Sequence, residues 1–369
     1  MKKLMIIIVL MSTLLMGGCY SYNDINRMLF PTAIIVDVDE EGNPILYLEV
    51  FHAFRSNQDN TESGQRILLR QEGATITDVA QKLEEVAAHQ YSYTQNKAWI
   101  FTERAAHYGI GDFLDYMHRH QDALLRPYVA VYFGDPVALL NLELKQNEYL
   151  GLFLFDLFDR PLRRLTVDHK KLYEVLNQRR MGGNVMVMTA LQLEKHLEDD
   201  KVSKYGAAVF RDDKMVSKIG LTEMQSYSFL VDEARAGRLN IPHPQYEDKL
   251  LTLGILKSKT VTELTYDGEK VYLKKQMNIR TTITGAEQSL ILDEKIIDEI
   301  KKNTAEKMKK ETHELFDRYQ EMGVDIFRIQ ESFDRRYPRA DVKNVITITE
   351  LEVEVNQHNE GSMNTYDFR

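Results

Sequence analysis

The chain has one cysteine, Cys19, and one tryptophan, Trp99, in 369 residues. A single thiol excludes an intramolecular disulfide and any paired Cys-x-x-Cys site, so stability has to come from the core. His-Glu-x-x-His, a Walker A loop and a Gly-x-Ser-x-Gly elbow are all missing, and the zinc, nucleotide and serine-hydrolase chemistries that use them have no footing. Gly109-Ile110-Gly111 lacks the third glycine of a dinucleotide fingerprint and reads as a turn. His118 and His120 would lie on roughly opposite faces of a helix, a poor chelate. Asp199-Asp200 and Asp212-Asp213 stand in linker and turn contexts and read as solvated carboxylates. The expectation is a protein without catalytic residues, metal or bound cofactor.

Long hydrophobic runs are scarce as well. Leu4 to Met16 is almost unbroken, but its 13 residues fall short of the roughly 20 that a spanning helix needs. Lys2 and Lys3 precede it, and Gly17-Gly18-Cys19 follows, with Met16 where Leu is commoner. This is the pattern of a lipoprotein signal peptide over 1–18, cleaved before Cys19. The new N-terminal thiol would carry a diacylglycerol and an N-acyl chain. At about 0.8 kcal/mol per buried CH2, two or more chains anchor stably without a second membrane signal. Loss of Lys2 and Lys3 takes the formal charge from −9 to −11. Such a chain repels phosphate backbones, so nucleic acid is not expected as a partner. Lipid, not charge, would hold it on the outer face of a cytoplasmic membrane.

After a lipidated tether at 19–31, strands are expected at Thr32 to Val38, Ile45 to Ala53, Arg66 to Arg70, Lys97 to Thr102, Tyr128 to Phe133 and Val185 to Leu193. Helices are expected at Thr77 to His89, with an apolar stripe of Val79, Leu83, Val86 and Gln90, and at Ile110 to His120, Pro136 to Leu144 and His169 to Asn177. Glu148 to Arg164 is apolar and reads as a segment packed beneath this 32–193 α/β domain. Charged residues from Glu194 to Lys204 resemble a linker. The 194–369 region, with a possible subdomain break near 240–250, opens with a hairpin around Asp212-Asp213 and a helix from Thr222 to Ala236 ended by Gly237. A hairpin turning at Asp267-Gly268 follows, then a long helix capped by Asp293 and ended by Gly323. A last alternating strand runs from Val345 to Val355. The fold class is mixed α/β and α+β, multidomain, with mixed sheets flanked by helices and a long C-terminal helix packed on a sheet.

Several ordered segments resemble the Ger(x)C family, the lipoprotein C subunits of bacterial spore germinant receptors. Cys19-Tyr20-Ser21-Tyr22-Asn23-Asp24-Ile25-Asn26 follows the family's start with Tyr for Trp, and Ile34-Ile35-Val36-Asp37 follows its apolar run ending in Asp. Leu114-Asp115-Tyr116 with Arg119 and Arg126 is similar to an internal segment. Gly206 to Phe210 with Lys214-Met215-Val216 resembles the opening hairpin of the C-terminal part. Gly323 ends the long helix, and Val324-Asp325-Ile326-Phe327 with Tyr337-Pro338 follows the helix pattern. Gly206 and Gly323 read as backbone devices, Asp325 as a capping residue and Phe327 as core. The resemblance implies a non-enzymatic subunit on the outer face of the spore inner membrane, partnered with polytopic A and B subunits. Direct germinant binding by this chain is not expected. The competing reading is a solute-binding lipoprotein of an ABC importer, which would need two similar lobes around one cleft.

Overall fold

The computed structural model describes residues 27–55, 62–119, 124–144, 147–160, 169–181, 183–197 and 199–360. The expected signal peptide, Cys19, the expected tether up to residue 26 and His120 lie outside the described residues. Among the described residues no helix is long and apolar enough to cross a membrane.

The first sheet opens with β1 (Met28–Val38), paired antiparallel to β2 (Pro44–Arg55), itself antiparallel to β3 (Glu62–Glu72). β1 begins four residues before the expected Thr32, because Leu29 and Phe30 are buried and find partners on β2. Residues 28–31 are therefore strand, not tether. Next come α1 (Ile76–Val86), the short β4 (Gln90–Tyr91), β5 (Ala98–Thr102), α2 (Glu103–Tyr108) and α3 (Gly111–Arg119). They are followed by β6 (Tyr128–Phe133), α4 (Pro136–Leu140), α5 (Leu150–Asp159), α6 (Leu172–Arg180), β7 (Val185–His196), β8 (Asp199–Arg211) and β9 (Lys214–Gly220). The strand order is β3-β2-β1-β5-β6-β7-β8-β9, with β4 beside β1. β1, β5, β6 and β7 are parallel neighbours, and their near-continuous apolar runs reflect burial on both faces. One face packs Trp99 and Phe101 against α1, α2, α3 and α6, and the other packs Ile35, Ile100 and Tyr132 against α4 and α5.

The stripe on α1 is shorter than its periodicity suggests. Val79 and Leu83 are buried, but Val86 is 69% exposed and Gln90 belongs to β4. Thr75 caps the helix by accepting from the Asp78 N–H. α4 stops at Leu140, not Leu144.

The charged stretch from Glu194 to Lys204 is not a linker. It forms the outer end of the β7–β8 hairpin, paired from Leu191–Lys204 to His196–Asp199. Leu193 and Val202 at its base pack against the first-sheet core, while Glu194, Lys195, His196, Asp200 and Lys201 are exposed, and that run of charges imitates a linker. The Asp212-Asp213 turn between β8 and β9 is as expected, both residues having positive φ.

The second sheet has the order β10 (Gly237–Pro242), β11 (Leu250–Tyr266), β12 (Val271–Ala286), β13 (Thr349–Asn359). Before it, α7 covers Glu223–Leu230 only; the chain turns through Asp232 (φ +57°), and Gly237 opens β10 and does not cap a helix. β11 and β12 meet at Asp267-Gly268, where the Asp267 Oδ1 accepts from the N–H groups of Glu269 and Lys270. α8 (Glu294–Glu321) crosses over the sheet to place β13 parallel to β12. Asp293 caps it, accepting from the Ile296 N–H at 2.7 Å. Its buried face is Ile296, Ile300, Thr304, Met308, Thr312, Leu315, Phe316 and Tyr319, with Ile297 and Met322 on the flanks. Thr304 and Thr312 fit this core because each hydroxyl donates to the carbonyl four residues back, Ile300 and Met308. After α9 (Ile329–Arg336), Val345–Ile348 forms a 3-10 turn, and the strand starts only at Thr349. Alternation alone cannot separate the two, and the left-handed Asn344 (φ +57°) sets the turn. On the outer face, Glu350, Glu352 and Glu354 pair with Lys270 and Lys274 of the neighbouring loop and strand.

Candidate functional site

The two sheets meet where the end of α8 and the residues after it pack against β8, β9 and α7. Helix termination creates this contact. Gly323 takes φ +62°, its N–H and that of Val324 close on Gln320 and Tyr319, and the carbonyls of Met322 and Gly323 turn outward. Arg211 of β8 donates to both, at 3.3 and 3.4 Å. Arg318 donates to Glu223 at 2.5 Å, and the Tyr319 hydroxyl lies 3.1 Å from Ser217 Oγ. The segment beyond is held by Asp325, which accepts from the N–H groups of Phe327 (3.1 Å) and Gln330 (2.7 Å) and so anchors α9. The Phe327 ring stacks on Phe316 at 5.4 Å.

Buried charge collects beside this segment. Glu233, in the loop after α7, accepts from Lys170 at 3.0 Å and from Arg328 at 3.1 Å through the same oxygen. Its other oxygen is buried without a partner among the described residues. Lys170 belongs to the N-terminal part of the chain and Arg328 to the C-terminal part, so Glu233 ties the two. A cavity of about 250 Å³ opens here, its walls including Lys170, Gln178, Val187, Tyr227, Asp325 and Arg328. Arg328 itself is left-handed (φ +60°), a conformation that costs a non-glycine residue about 1–3 kcal/mol.

Burial sets the protonation of the groups around the cavity. It raises Asp325 above the usual carboxylate range, although the N–H groups it accepts from pull the other way. It raises the Tyr227 phenol too. Lys275 donates to the Leu230 carbonyl (2.8 Å) and Thr262 Oγ1 (2.9 Å), and burial lowers it to about 8 against the opposing pull of Asp325 and Asp232. On the first sheet, burial and the nearby cations Lys204 and Lys170 lower His169 to about 3. The neutral ring takes a hydrogen bond on Nε2 from Lys204 (2.7 Å), which leaves the Nδ1–H to donate to Thr189 Oγ1 (2.8 Å). These groups hold one another. His169 is held on the first-sheet side and Lys275 on the second, and the Lys170–Glu233–Arg328 cluster joins the two.

Of the residues singled out in the sequence, Gly323, Asp325 and Phe327 come together at this junction, and Gly206 lies on the same β8 strand as Arg211. Gly206 has φ +143°, and a Cβ there would fall 2.0 Å from the Ile219 carbonyl oxygen. Asp37 is elsewhere, buried in the first sheet, where it accepts from Thr102 Oγ1 at 2.5 Å and from Arg104. Arg119 is surface-exposed; its Nε donates to the Asp115 carbonyl one turn back at 3.3 Å, and its guanidinium lies 3.8 Å from the Asp115 carboxylate. Arg126 is exposed just before β6. Sequence reasoning missed Lys170, Glu233, Lys275 and Arg179, the last joining Asp115 of α3 to Asp213 of the β8–β9 turn. Single charged residues in mixed segments carry no periodic signal that could have marked them.

Residues 21–193 match the family model for the spore germination protein N-terminal domain, and residues 205–359 match that for spore germination B3/GerAC-like proteins, C-terminal. The chain belongs to the Ger(x)C family of spore germination proteins. The family segments cover both sheets. Their border falls in the β7–β8 hairpin, so the first sheet draws strands from both. The crystal structure of the GerBC protein is similar to this fold with a TM-score of 0.58 at 14% identity, covering 89% of this chain and 97% of that one. No curated protein matches the chain in sequence. Within this Ger(x)C protein, the family-motif residues Gly206, Gly323, Asp325 and Phe327 act on backbone geometry and packing.

Proposed function

We propose that this chain is the lipid-anchored C subunit of a spore germinant receptor, held through Cys19 on the outer face of the spore inner membrane. It works there by contact with polytopic A and B subunits and not by catalysis. The observation that carries this reading is the pair of family matches, in order, over residues 21–193 and 205–359 of one chain. The lipobox pattern ending at Cys19 supports the anchor. Confinement to the membrane plane raises the effective concentration of partners, so individually weak contacts suffice.

The importer reading needs two similar lobes around a cleft. The mixed sheet of β1 to β9 and the four-stranded sheet of β10 to β13 differ in size, order and helix cover, which counts against it. Co-purification from spore membranes is the decisive experiment, with A and B subunits expected to accompany the chain. Calorimetry of the soluble protein with amino acids, sugars and nucleosides should show nothing tighter than roughly millimolar, about −4 kcal/mol. A micromolar ligand would favour the importer reading.

A further inference from the structure

The parallel strands β1, β5 and β6 all start at one end of the first sheet. Lys97 and Tyr128 lead their strands level with Thr32: the Lys97 N–H donates to the Thr32 carbonyl, and the Tyr128 N–H to the Lys97 carbonyl, both at 2.9 Å. The chain enters this end from Cys19. The nine residues from Cys19 to Arg27 span at most roughly 30 Å, whatever path they take. β1 then carries the chain 11 residues further, about 36 Å along the strand. The entry end is therefore the part of the sheet that a lipid on Cys19 holds nearest a bilayer.

Apolar side chains are exposed at this end. Leu124 and Leu125, each 37% exposed, lead into β6. Tyr173, 45% exposed, opens α6 beside them, and its N–H donates to the Leu125 carbonyl at 3.1 Å. Val86 closes α1 just before β4, which pairs with Met28 and Leu29. Single exposed apolar residues are ordinary on a protein surface, but these stand among cations. Arg27 precedes β1, Lys97 precedes β5, Arg126 precedes β6, and Lys171 bridges to Tyr128. Lys97 and Lys171 lie over the rings of Phe155 and Tyr128 at 5.7 and 5.3 Å. Two nearby carboxylates are turned elsewhere, Glu174 to the Lys171 N–H and Asp159 to the Tyr128 hydroxyl. Glu84 and Glu85 on the last turn of α1 oppose the cations, so the basic centre lies at the start of β6, around Arg126. That is a local excess of positive charge in a chain of formal charge −9.

We propose that this end of the first sheet rests on the bilayer surface. Leu124, Leu125 and Tyr173 enter the headgroup region, and Arg126, Lys97 and Lys171 meet the phosphates of anionic lipids. Leucine and tyrosine suit that depth, and basic side chains beside them reach the phosphates while their stems stay in apolar contact. The lipid on Cys19 holds the protein, and this contact orients it. A contact too weak to bind a free protein suffices here, because the short tether keeps the surface at high effective concentration. The C-terminal end of β1 then faces away from the membrane.

This inference rests on an anchor at Cys19, so the test supplies the anchor chemically and is independent of whether a cell lipidates that residue. The chain from Cys19 onward, with every described residue retained, is coupled through its one thiol to phosphatidylglycerol–phosphatidylcholine vesicles carrying a maleimide lipid. The acyl chains are brominated or unbrominated. L125W and Y173W report at the proposed contact, and V261W reports from the exposed face of the second sheet; the buried Trp99 is common to all. Brominated lipid should quench L125W and Y173W and leave V261W unchanged. Adding L124D/R126E, two exposed positions whose folding a thermal melt checks, should abolish the quenching of Y173W. Equal quenching at all three positions would mean that the chain tumbles on its tether, and overturns the proposal. So would quenching at none of them, or quenching of Y173W that survives L124D/R126E. A dimer that buries L125W before coupling would give this end to a second copy. Loss of membrane subunits from L124D/R126E in co-purification, without vesicle quenching, would give it to a protein partner.

Discussion

Lys170 and Glu233 pair at 3.0 Å with only 6% and 14% of their side chains exposed, and the pair ties the N-terminal part of the chain to the loop after α7. Taking both charges out of water is expensive, so removing one removes the counter-charge that offsets burial of the other. Glu233→Ala should destabilise the protein by about 3–5 kcal/mol. Lys170→Met with Glu233→Gln should cost less than Glu233→Ala alone, because the two opposite charges leave the site together. Urea denaturation of the soluble chain measures both, and equal losses would mean that the pair does not hold the junction.

Gly206 and Gly268 separate two uses of glycine. Both have positive φ, but a Cβ at Gly206 would collide with the Ile219 carbonyl, and one at Gly268 would meet nothing within 4 Å. Gly268→Ala should cost about 1 kcal/mol, from backbone conformation alone. Gly206→Ala should cost clearly more, because β8 and β9 must also part. Thermal melts of the two variants settle the order.

Lys275 gives a pH dependence of known sign. Its folded pKa is lowered to about 8, below the 10.5 of an ordinary lysine. Between those values the unfolded chain holds the proton and the folded chain does not, so stability rises with pH through that window. Relative to Lys275→Met, the unsubstituted protein should gain urea resistance between pH 7.5 and 9.5, roughly below the ordinary titration range of tyrosine. A constant difference between the two would remove the proposed desolvation.

Cys19→Ala should shift the protein out of the membrane fraction, or leave it uncleaved, and lower germination. Retention of full germination with unchanged membrane fractionation would remove the lipid anchor from the proposed function.

Much of the second sheet was legible because its cues are local. Asp267-Gly268 marks its turn, Asp293 its helix start and Gly323 the helix end, and each acts through its nearest neighbours. β6 was legible from Tyr128 to Phe133 by its apolar run. The ribbon at Glu194–Lys204 was not, since its run of exposed charges hides the alternation that identifies a strand. Val345–Ile348 failed for the opposite reason: it has a strand's alternation, but Asn344 bends it. The junction was half legible. Gly323 and Asp325 are recognisable as helix-end residues, whereas Lys170 and Glu233 are 63 residues apart and only tertiary folding makes them partners.

The β7–β8 hairpin has a consequence for synthesis. As the chain emerges N-terminus first on the outer face of the membrane where it is proposed to act, residues through 193 can assemble the parallel strands of the first sheet. They would still leave β7 with an open edge, running along Met186, Val187 and Met188, until β8 emerges and pairs with it. The first family segment is therefore not a finished folding unit at its own border. Its sticky edge is sheltered only by the opening residues of the second segment, so the two are bound together in the order of their making as well as in their final fold.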